Sequence, residues 1–366
     1  MSVPGESQPD GGSVPLRRHC EAVQPLTIIQ TVCTDAFAGV ERYVSQVSNG
    51  LTRRGHRVTV IGGNRERMRD ELDPAVHQVR APTLAGAAVA LASRPAVDIV
   101  HVHMTEAEAA AWIARPFQRS PVVATRHFAR TRGSGTLARG LARITARRVA
   151  MDIAISKFVA ERIEGPSELL YNGVADHPQA PVIVPTVVML QRLETEKSPD
   201  VGLKAWAESG LGRNGWRLVV AGDGALGPSL VDLARTLDVA SSVDFAGQVA
   251  DTAGLLASSS ILLAPAPEEP FGLSVVEAMA QGIPVVAAWS GAHVETVGEA
   301  GFGFAPGDSS AAAEALMTLA ADHRLRTDVG ARLRRRQRRL FTLEGHLDGL
   351  ERIYDGVSLR SHSARV

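Results

Sequence analysis

The chain has 366 residues, 45% hydrophobic and 21% charged, which is enough for two globular domains with sizeable cores. Basic and acidic residues both number 39, so no global charge favours a nucleic-acid partner, and two cysteines exclude a disulfide scaffold. No window offers the roughly 18 apolar residues that a membrane-spanning helix needs.

The first segment, residues 1–24, is rich in Gly, Pro, Ser and Gln. No apolar run follows Arg17 and Arg18, so the segment predicts a disordered tail rather than a signal peptide. We therefore expect a cytoplasmic protein that would meet a membrane from its surface.

Residues 25–178 predict a first domain in which strands and helices alternate. A β-rich run at 26–32 precedes an amphipathic helix over 39–54. Further short apolar strands follow at 57–61, 98–102, 121–125 and 151–155. Such alternation is typical of βαβ units and a parallel sheet.

A linker-like composition at 172–185 precedes a second domain over 179–342. Its predicted strands are 186–190, 217–221, 243–245, 261–264 and 284–287. We expect two doubly wound, Rossmann-like parallel sheets that face each other and bind ligands in the cleft at the carboxyl ends of their strands. A C-terminal helix over 343–357 could pack back on the first domain, and 358–366 is expected to be a tail.

The segment 264–286 carries two glutamates on either side of a predicted helix start. Glu269 lies in a Pro-rich loop, the helix starts near Gly272, and Glu277 falls in its second turn. A helix N-terminus is a ready site for a diphosphate, and the two carboxylates could bind sugar and ribose hydroxyls. A solvated acidic pair is the alternative, but Glu277 lies between apolar Val276 and Ala278.

This segment resembles the signature of the retaining glycosyltransferases of family 4, with two Glu residues separated by seven positions around a Pro-Phe-Gly-Leu start. The resemblance covers about 26–307 and implies the two-domain GT-B architecture. It implies that Glu269 binds the donor sugar and Glu277 the ribose, with Gly272 and Leu273 at the donor. Glu295 stands where the family often has an acidic residue.

The loop 190–199 supplies two cations, Arg192 and Lys197, at the end of a predicted strand. Spacing alone favours a solvated loop with ion pairs to Glu194 or Glu196. The resemblance instead implies that the two cations stabilise the departing diphosphate without a metal. Two positions where the family has glycine differ here, Gln191 and Ser198.

Small residues mark three further turns as donor-binding candidates. Gly222 and Gly224 follow the strand 217–221, where the resemblance implies a nucleotide pocket, and Val249 follows 243–245 in a similar strand-end loop that could touch the base. Gly39 starts the first helix and could cradle phosphate, although Ala38 replaces a family glycine. Ordinary tight turns explain the glycines equally well.

His127 follows the strand 121–125, and the resemblance implies that it lies near the reacting sugar. A cleft-facing histidine can hydrogen-bond a sugar hydroxyl in either protonation state, although a single histidine is more often structural. His101 and His103 end another strand and are expected to be structural, with His103 a weaker candidate for the cleft.

A stripe of arginines at helical spacing, Arg139, Arg143 and Arg147, could meet an anionic membrane surface or a phosphorylated acceptor. A solvated helix face is the alternative. No aromatic interleaving or reader motif accompanies the basic runs, so nucleic acid is not expected as a partner.

Together these features predict a retaining glycosyltransferase that uses a nucleotide-diphosphate sugar, with no metal or cofactor. Its predicted catalytic residues are Glu269, Arg192, Lys197 and His127. The acceptor stays open among a glycolipid, a polysaccharide and a small metabolite. The alternatives are a nucleotide-sugar epimerase of the same fold and a non-catalytic nucleotide-sugar-binding protein.

Overall fold

The computed structural model describes residues 24–133 and 136–363, which form two parallel sheets flanked by helices. The first sheet has the strand order β3-β2-β1-β4-β5-β6-β7. Its strands are β1 (Thr27–Val32), β2 (Arg57–Gly62), β3 (His77–Val79), β4 (Ile99–His103), β5 (Val122–Arg126), β6 (Val149–Ala154) and β7 (Glu168–Leu169). Its helices are α1 (Gly39–Arg53), α2 (Arg65–Glu71), α3 (Leu84–Ala92), α4 (Thr105–Ile113), α5 (Thr136–Ala146) and α6 (Lys157–Ala160).

The second sheet has the order β10-β9-β8-β11-β12-β13. Its strands are β8 (Thr186–Leu190), β9 (Arg217–Ala221), β10 (Val243–Gly247), β11 (Ile261–Ala264), β12 (Val285–Ala288) and β13 (Phe302–Phe304). The helices after β8 are α7 (Pro199–Ser209), α8 (Gly227–Thr236), α9 (Thr252–Ala257), α10 (Leu273–Ala280), α11 (His293–Thr296), α12 (Ser309–Ala321), α13 (His323–Leu340) and α14 (Leu343–Ser363). No helix in the described part of the chain is long and apolar enough to cross a bilayer.

The predicted pair of doubly wound parallel sheets is confirmed. In both sheets the strand order reverses beside the first strand, β1 or β8, whose neighbours lead outward in opposite directions. The strands that the sequence did not indicate, β3, β7 and β13, contain only two or three residues each, too few to show a period.

Helix α1 shows how the apolar pattern builds the first core. Its stripe, led by Tyr43, Val44 and Val47, is buried against the sheet. At its N-terminus the Glu41 carboxylate accepts a hydrogen bond of 2.9 Å from the Ala38 amide, which anchors the first turn. The helix therefore begins at a fixed point, directly after the carboxyl end of β1.

The chain passes between the two domains twice. Ile155, Val159 and Val174 follow β6 in sequence but belong to the hydrophobic core of the second sheet. After α13 packs against α10, α14 returns and packs against α1 of the first domain. Helix α14 continues to Ser363, so the expectation of a tail from 358 is corrected for 358–363, where no Pro or Gly stops the helix. The predicted tail 1–24 lies outside the described residues except for Gln24.

The return of α14 depends on a close backbone approach at Gly173. A Cβ atom there would lie 2.4 Å from the Thr342 carbonyl oxygen and 2.6 Å from the Leu343 Cα. The neighbouring Val174 amide donates to the Phe341 carbonyl, and its carbonyl accepts from Leu343, both at 3.0 Å. The turn between α13 and α14 is therefore fixed directly on this segment.

We expect Gly173→Ala to lower the free energy of unfolding by about 1–3 kcal/mol, because backbone atoms must move to admit one methyl group. Urea denaturation measures the change. Gly356→Ala is the matched control: nothing lies within 4 Å of an added Cβ at this position inside α14, so the variant should be slightly more stable. A wild-type midpoint for Gly173→Ala would contradict the tight approach.

Candidate functional site

The carboxyl ends of the two parallel sheets face each other across a cleft. A Cβ atom added to Gly39, the first residue of α1, would lie 3.9 Å from Cδ1 of Leu273, the first residue of α10. One turn along α1, the Arg42 guanidinium donates a 3.2 Å hydrogen bond to the Thr252 hydroxyl of the second domain. Two helix N-termini, each with unpaired amides, thus meet at the same point of the cleft.

An ion pair joins the loop after β8 to the loop after β11. Lys197 Nζ lies 2.5 Å from Glu269 Oε2, with both side chains more than four-fifths buried. The other carboxylate oxygen accepts a 3.1 Å hydrogen bond from the Gly272 amide. Burial raises the pKa of Glu269, but the Lys197 charge, followed by His293, outweighs it, and the pKa lies below its usual value. Glu269 is therefore an ionised carboxylate at neutral pH.

Gly272 sits directly before α10 in the left-handed region, with φ of 86°. A Cβ there would lie 3.3 Å from His293 Nε2 and 3.4 Å from Glu269 Cγ. His293 is buried, and burial lowers its pKa. The sequence interpretation missed this histidine; its place just after a Gly-Ala pair that follows β12 was the available signal.

Glu277 lies in the second turn of α10 and faces a cavity of about 180 Å³ between the domains. The cavity is lined by side chains from α1, α9 and α10, including Arg42, Gln46, Thr252, Leu256, Glu277 and Gln281. Burial raises the pKa of Glu277, and the charge of Arg42 opposes this rise. Arg42 is a second residue that sequence reasoning did not single out.

The structure separates the two predicted cations. Lys197 pairs with Glu269, whereas the Arg192 guanidinium donates to Glu196 at 2.7 Å and its side chain is 53% exposed. This contact is one of the ion pairs that spacing alone favoured. The loop conformation depends on Gln191, whose side-chain amide donates to the Lys197 carbonyl at 3.0 Å.

Gly222 and Gly224 lie against the backbone of the loop 190–199 that carries Lys197. A Cβ at Gly222 would lie 1.8 Å from the Gln191 carbonyl oxygen, and one at Gly224 would lie 2.5 Å from that of Leu193. Glycine is therefore required at both positions by the close backbone approach. Val249 follows β10 and is half-buried.

His127 follows the carboxyl end of β5 and is buried, with 8% of its surface exposed. Its Nε2 lies 3.0 Å from His103 Nδ1, and the Tyr43 ring packs edge-on against both imidazoles. Burial, followed by the nearby His346, lowers the pKa of His127 to about 3. The ring is therefore neutral at pH 7.

Glu295 joins the domains instead of lining the cavity. Its carboxylate accepts hydrogen bonds from the Lys157 and Phe158 amides at 2.9 and 3.0 Å and from the Tyr171 hydroxyl at 3.0 Å. Beside it, the Ser156 hydroxyl donates to the Pro270 carbonyl at 2.6 Å, close to the Glu269 loop. Within residues 24–133 and 136–363, no three His, Cys, Asp or Glu side chains are grouped to hold a metal.

Two family models match the chain, one on each domain. Residues 37–177 match Glycosyltransferase Family 4, and residues 184–322 match the glycosyl transferases group 1. The first match covers α1 and His127, and the second covers Lys197, Glu269 and Glu277.

Curated relatives match parts of the chain. A glycogen synthase of Mycobacterium tuberculosis is 33% identical over 188 residues, 50% of this chain and 41% of that protein. A GDP-mannose-dependent phosphatidylinositol dimannoside mannosyltransferase from the same species is 38% identical over 122 residues, 31% of this chain and 30% of the relative. The chain thus spans well under half the length of these relatives.

Among solved structures, the fold is similar to Anabaena Alr3699/HepE in complex with UDP and glucose. That comparison has a TM-score of 0.74 at 20% identity and covers 90% of this chain and 99% of the other. A glycosyltransferase from Rickettsia africae gives 0.73, again at 20% identity, over 91% and 98% of the two chains. The likeness establishes the two-domain architecture.

Proposed function

This chain belongs to the family 4 glycosyltransferases of the GT-B architecture, and from that premise we propose that it transfers a sugar from a nucleotide-diphosphate donor with retention of configuration. The acceptor is a glycolipid, a polysaccharide or a small metabolite. The observation that supports the proposal most directly is the Lys197–Glu269 ion pair at the N-terminus of α10, with Glu277 one turn further into the cavity.

The proposed donor pose follows from the charges at this site. The diphosphate would lie at the N-terminus of α10, where the first amides have no intrahelical partner, and Lys197 would balance its charge. Glu269, held by Lys197 and the Gly272 amide, would accept hydrogen bonds from sugar hydroxyls. Glu277 would accept those of the ribose, and Gly39 would face the donor from α1.

In this mechanism the chain's own cations stabilise the leaving diphosphate, so no metal is required of the protein. Lys197 is already in place, whereas Arg192 would exchange its exposed contact with Glu196 for a phosphate oxygen when the donor binds. An arginine that donates two parallel hydrogen bonds to a phosphate gains more interaction free energy than one that pairs with a solvated carboxylate. His127 would contact a hydroxyl near the reacting sugar.

Glu277→Ala should weaken nucleotide binding by about 10- to 100-fold, because a carboxylate that accepts ribose hydroxyls contributes charge-assisted hydrogen bonds. A thermal-shift panel with UDP, GDP, ADP, CMP and dTDP measures it, since a ligand of the native state raises the melting temperature. Glu314→Ala, an exposed glutamate of α12 in the same domain, is the control. Equal nucleotide affinity in Glu277→Ala and wild type would refute the ribose assignment.

Lys197→Ala should reduce turnover by roughly 10²- to 10³-fold, because it removes the charge that stabilises the departing diphosphate. Nucleotide release from UDP-glucose, GDP-mannose and the sugar conjugates of the other nucleotides is the assay. Lys204→Ala removes an exposed lysine that pairs with Asp200 on α7, and should keep the wild-type rate. If Lys197→Ala and Lys204→Ala turn over equally, Lys197 has no part in the reaction.

We also propose that the first domain contacts an anionic membrane surface through α4 and α5. Trp112, Ile113 and Phe117 at the end of α4 are exposed by 37%, 48% and 73%. Arg139 and Arg143 are exposed on α5, and Arg147 is exposed directly after its end. The end of α5 lies near Phe117, since Arg148 donates to the Gln118 carbonyl. Exposed apolar side chains beside arginines fit an interface of lipid headgroups.

Replacing Arg139, Arg143 and Arg147 together by alanine should weaken binding to phosphatidylglycerol vesicles by about 100-fold, at roughly 1 kcal/mol per arginine. Sedimentation with these vesicles, compared with phosphatidylcholine vesicles, is the measurement. Alanines at Arg324, Arg332 and Arg335 of α13, also exposed, form the control. Wild-type protein that sediments with neither vesicle, or equally with both, would refute the membrane proposal.

A further inference from the structure

The first domain buries a polar network between its sheet and the helices α1 and α14. We call it the histidine network; its members, all buried, are Gln30, Tyr43, His101, His103, Thr125, His127, His346 and Tyr354. The strand register assembles it, because Gln30 lies opposite His101 and His103 lies opposite Thr125 in the sheet. Side chains two residues apart on β4 point to the same face, so His101 and His103 both belong to it.

Hydrogen bonds join six of these side chains in an unbranched series from His127 to Thr125, and a separate hydrogen bond joins Tyr43 to His346. The distances are 3.0 Å for His127 to His103, 2.7 Å for His103 to Gln30, 3.3 Å for Gln30 to Tyr354, 2.6 Å for Tyr354 to His101, 2.7 Å for His101 to Thr125, and 2.9 Å for Tyr43 to His346. His346 Nδ1 in turn lies 2.7 Å from the Tyr171 backbone carbonyl.

Two contacts give the directions of these hydrogen bonds, that of His346 with the Tyr171 carbonyl and that of the Gln30 amide with Tyr354. A carbonyl oxygen only accepts, so Nδ1 of His346 carries the proton and, in a neutral ring, Nε2 is an acceptor. The Tyr43 hydroxyl must then donate to Nε2 of His346.

The same reasoning continues through the sheet. The Gln30 amide nitrogen donates to the Tyr354 oxygen, which is the orientation of that amide in the structure. The Tyr354 hydroxyl donates its own proton to Nδ1 of His101. In a neutral ring, Nε2 of His101 therefore carries the proton and donates to Thr125.

The last two steps reach the cleft. The Gln30 carbonyl oxygen accepts from Nε2 of His103, so Nδ1 of His103 is bare and accepts from Nε2 of His127. His127 is left with a bare Nδ1, which has no hydrogen-bond partner within residues 24–133 and 136–363. A doubly protonated His101 or His103 would place a donor against a donor.

Burial keeps the four imidazole rings neutral, and the hydrogen-bond directions given above require neutral rings. It lowers the pKa of His346 to about 4 and that of His127 to about 3, and it moves the pKa of His101 and His103 well below the usual value. The nearby titratable groups that oppose a positive charge in the network are the other histidines.

We propose that His103 and Gln30 are positioning residues that hold His127 as the neutral Nε2–H tautomer, so that its Nδ1 accepts a hydrogen bond from a ligand hydroxyl in the cleft. The inference rests on the proposed function for the identity of that ligand, a sugar or acceptor hydroxyl. It narrows the sequence expectation, which allowed His127 either protonation state. Because Nδ1 cannot donate, a ligand atom that only accepts would face a lone pair there.

The test is a long-range 1H–15N correlation spectrum of the free protein with 15N-labelled histidine at about pH 7.5, assigned with single His→Gln variants. Each ring shows whether it carries its proton on Nδ1, on Nε2 or on both. We expect Nε2–H for His101, His103 and His127, and the opposite Nδ1–H tautomer for His346. A Nδ1–H or cationic His127 in the wild type overturns the proposal.

Tyr354→Phe tests whether the network sets the tautomer. The ring is kept, but the Gln30 amide loses the acceptor that fixes its orientation, so His103 and His127 should each show two tautomer patterns. Tyr171→Phe is the matched control, because it keeps the backbone carbonyl that anchors His346 and should leave one pattern per ring. A single unchanged pattern for His127 in Tyr354→Phe overturns the positioning role.

No donor is present in these spectra, so their outcome is separate from that of the proposed function. The wild-type spectrum decides the tautomer even where Tyr354→Phe does not fold. Absent nucleotide binding with the expected tautomers would refute the transferase proposal and leave the network standing. Nucleotide binding together with tautomers other than those expected would refute the network proposal and leave the transferase proposal standing.

Discussion

The facing carboxyl edges of the two parallel sheets are the constraint on which the site depends. Parallel strands end at one edge, so every loop that carries a candidate residue projects from that edge. The contact of Gly39 with Leu273 and the hydrogen bond from Arg42 to Thr252 show how closely the edges approach. The N-termini of α1 and α10 consequently lie beside each other, and an anion between them would meet two positive helix ends.

Backbone contacts position the charged side chains of the site, in addition to the ion pair that these side chains form. Burying Glu269 costs free energy, and the structure offsets that cost with Lys197 and with the Gly272 amide. Gly222 and Gly224 allow the loop that carries Lys197 to lie directly against the next one. The glycines therefore act through the position of the lysine, in addition to any contact with a nucleotide.

The first domain likewise pairs its buried polar groups with one another. Unpaired nitrogens and hydroxyls in a layer of histidines and tyrosines under the cleft would be costly, and the histidine network pairs all of them except Nδ1 of His127. Half of its contacts depend on α14, which begins 343 residues into the chain. The return of α14 thus fixes side chains at the cleft as well as covering an apolar face, and Glu295 fixes the distance between the domains nearby.

The sequence by itself determined the two parallel sheets, helix α10, and the carboxylates on either side of the N-terminus of that helix. Consecutive residues carry the apolar periods, the turns and the long local motif from which these features follow. The order of the strands, the separation of Arg192 from Lys197, and the approach of Arg42 and His293 to the acidic pair were decided by tertiary structure. These residues lie far apart in the chain and carry no shared local pattern. The tautomer of His127 is the clearest case, since it depends on Tyr354 of α14 through Gln30 of β1 and His103 of β4, and only the folded chain brings those donors and acceptors into one series of hydrogen bonds.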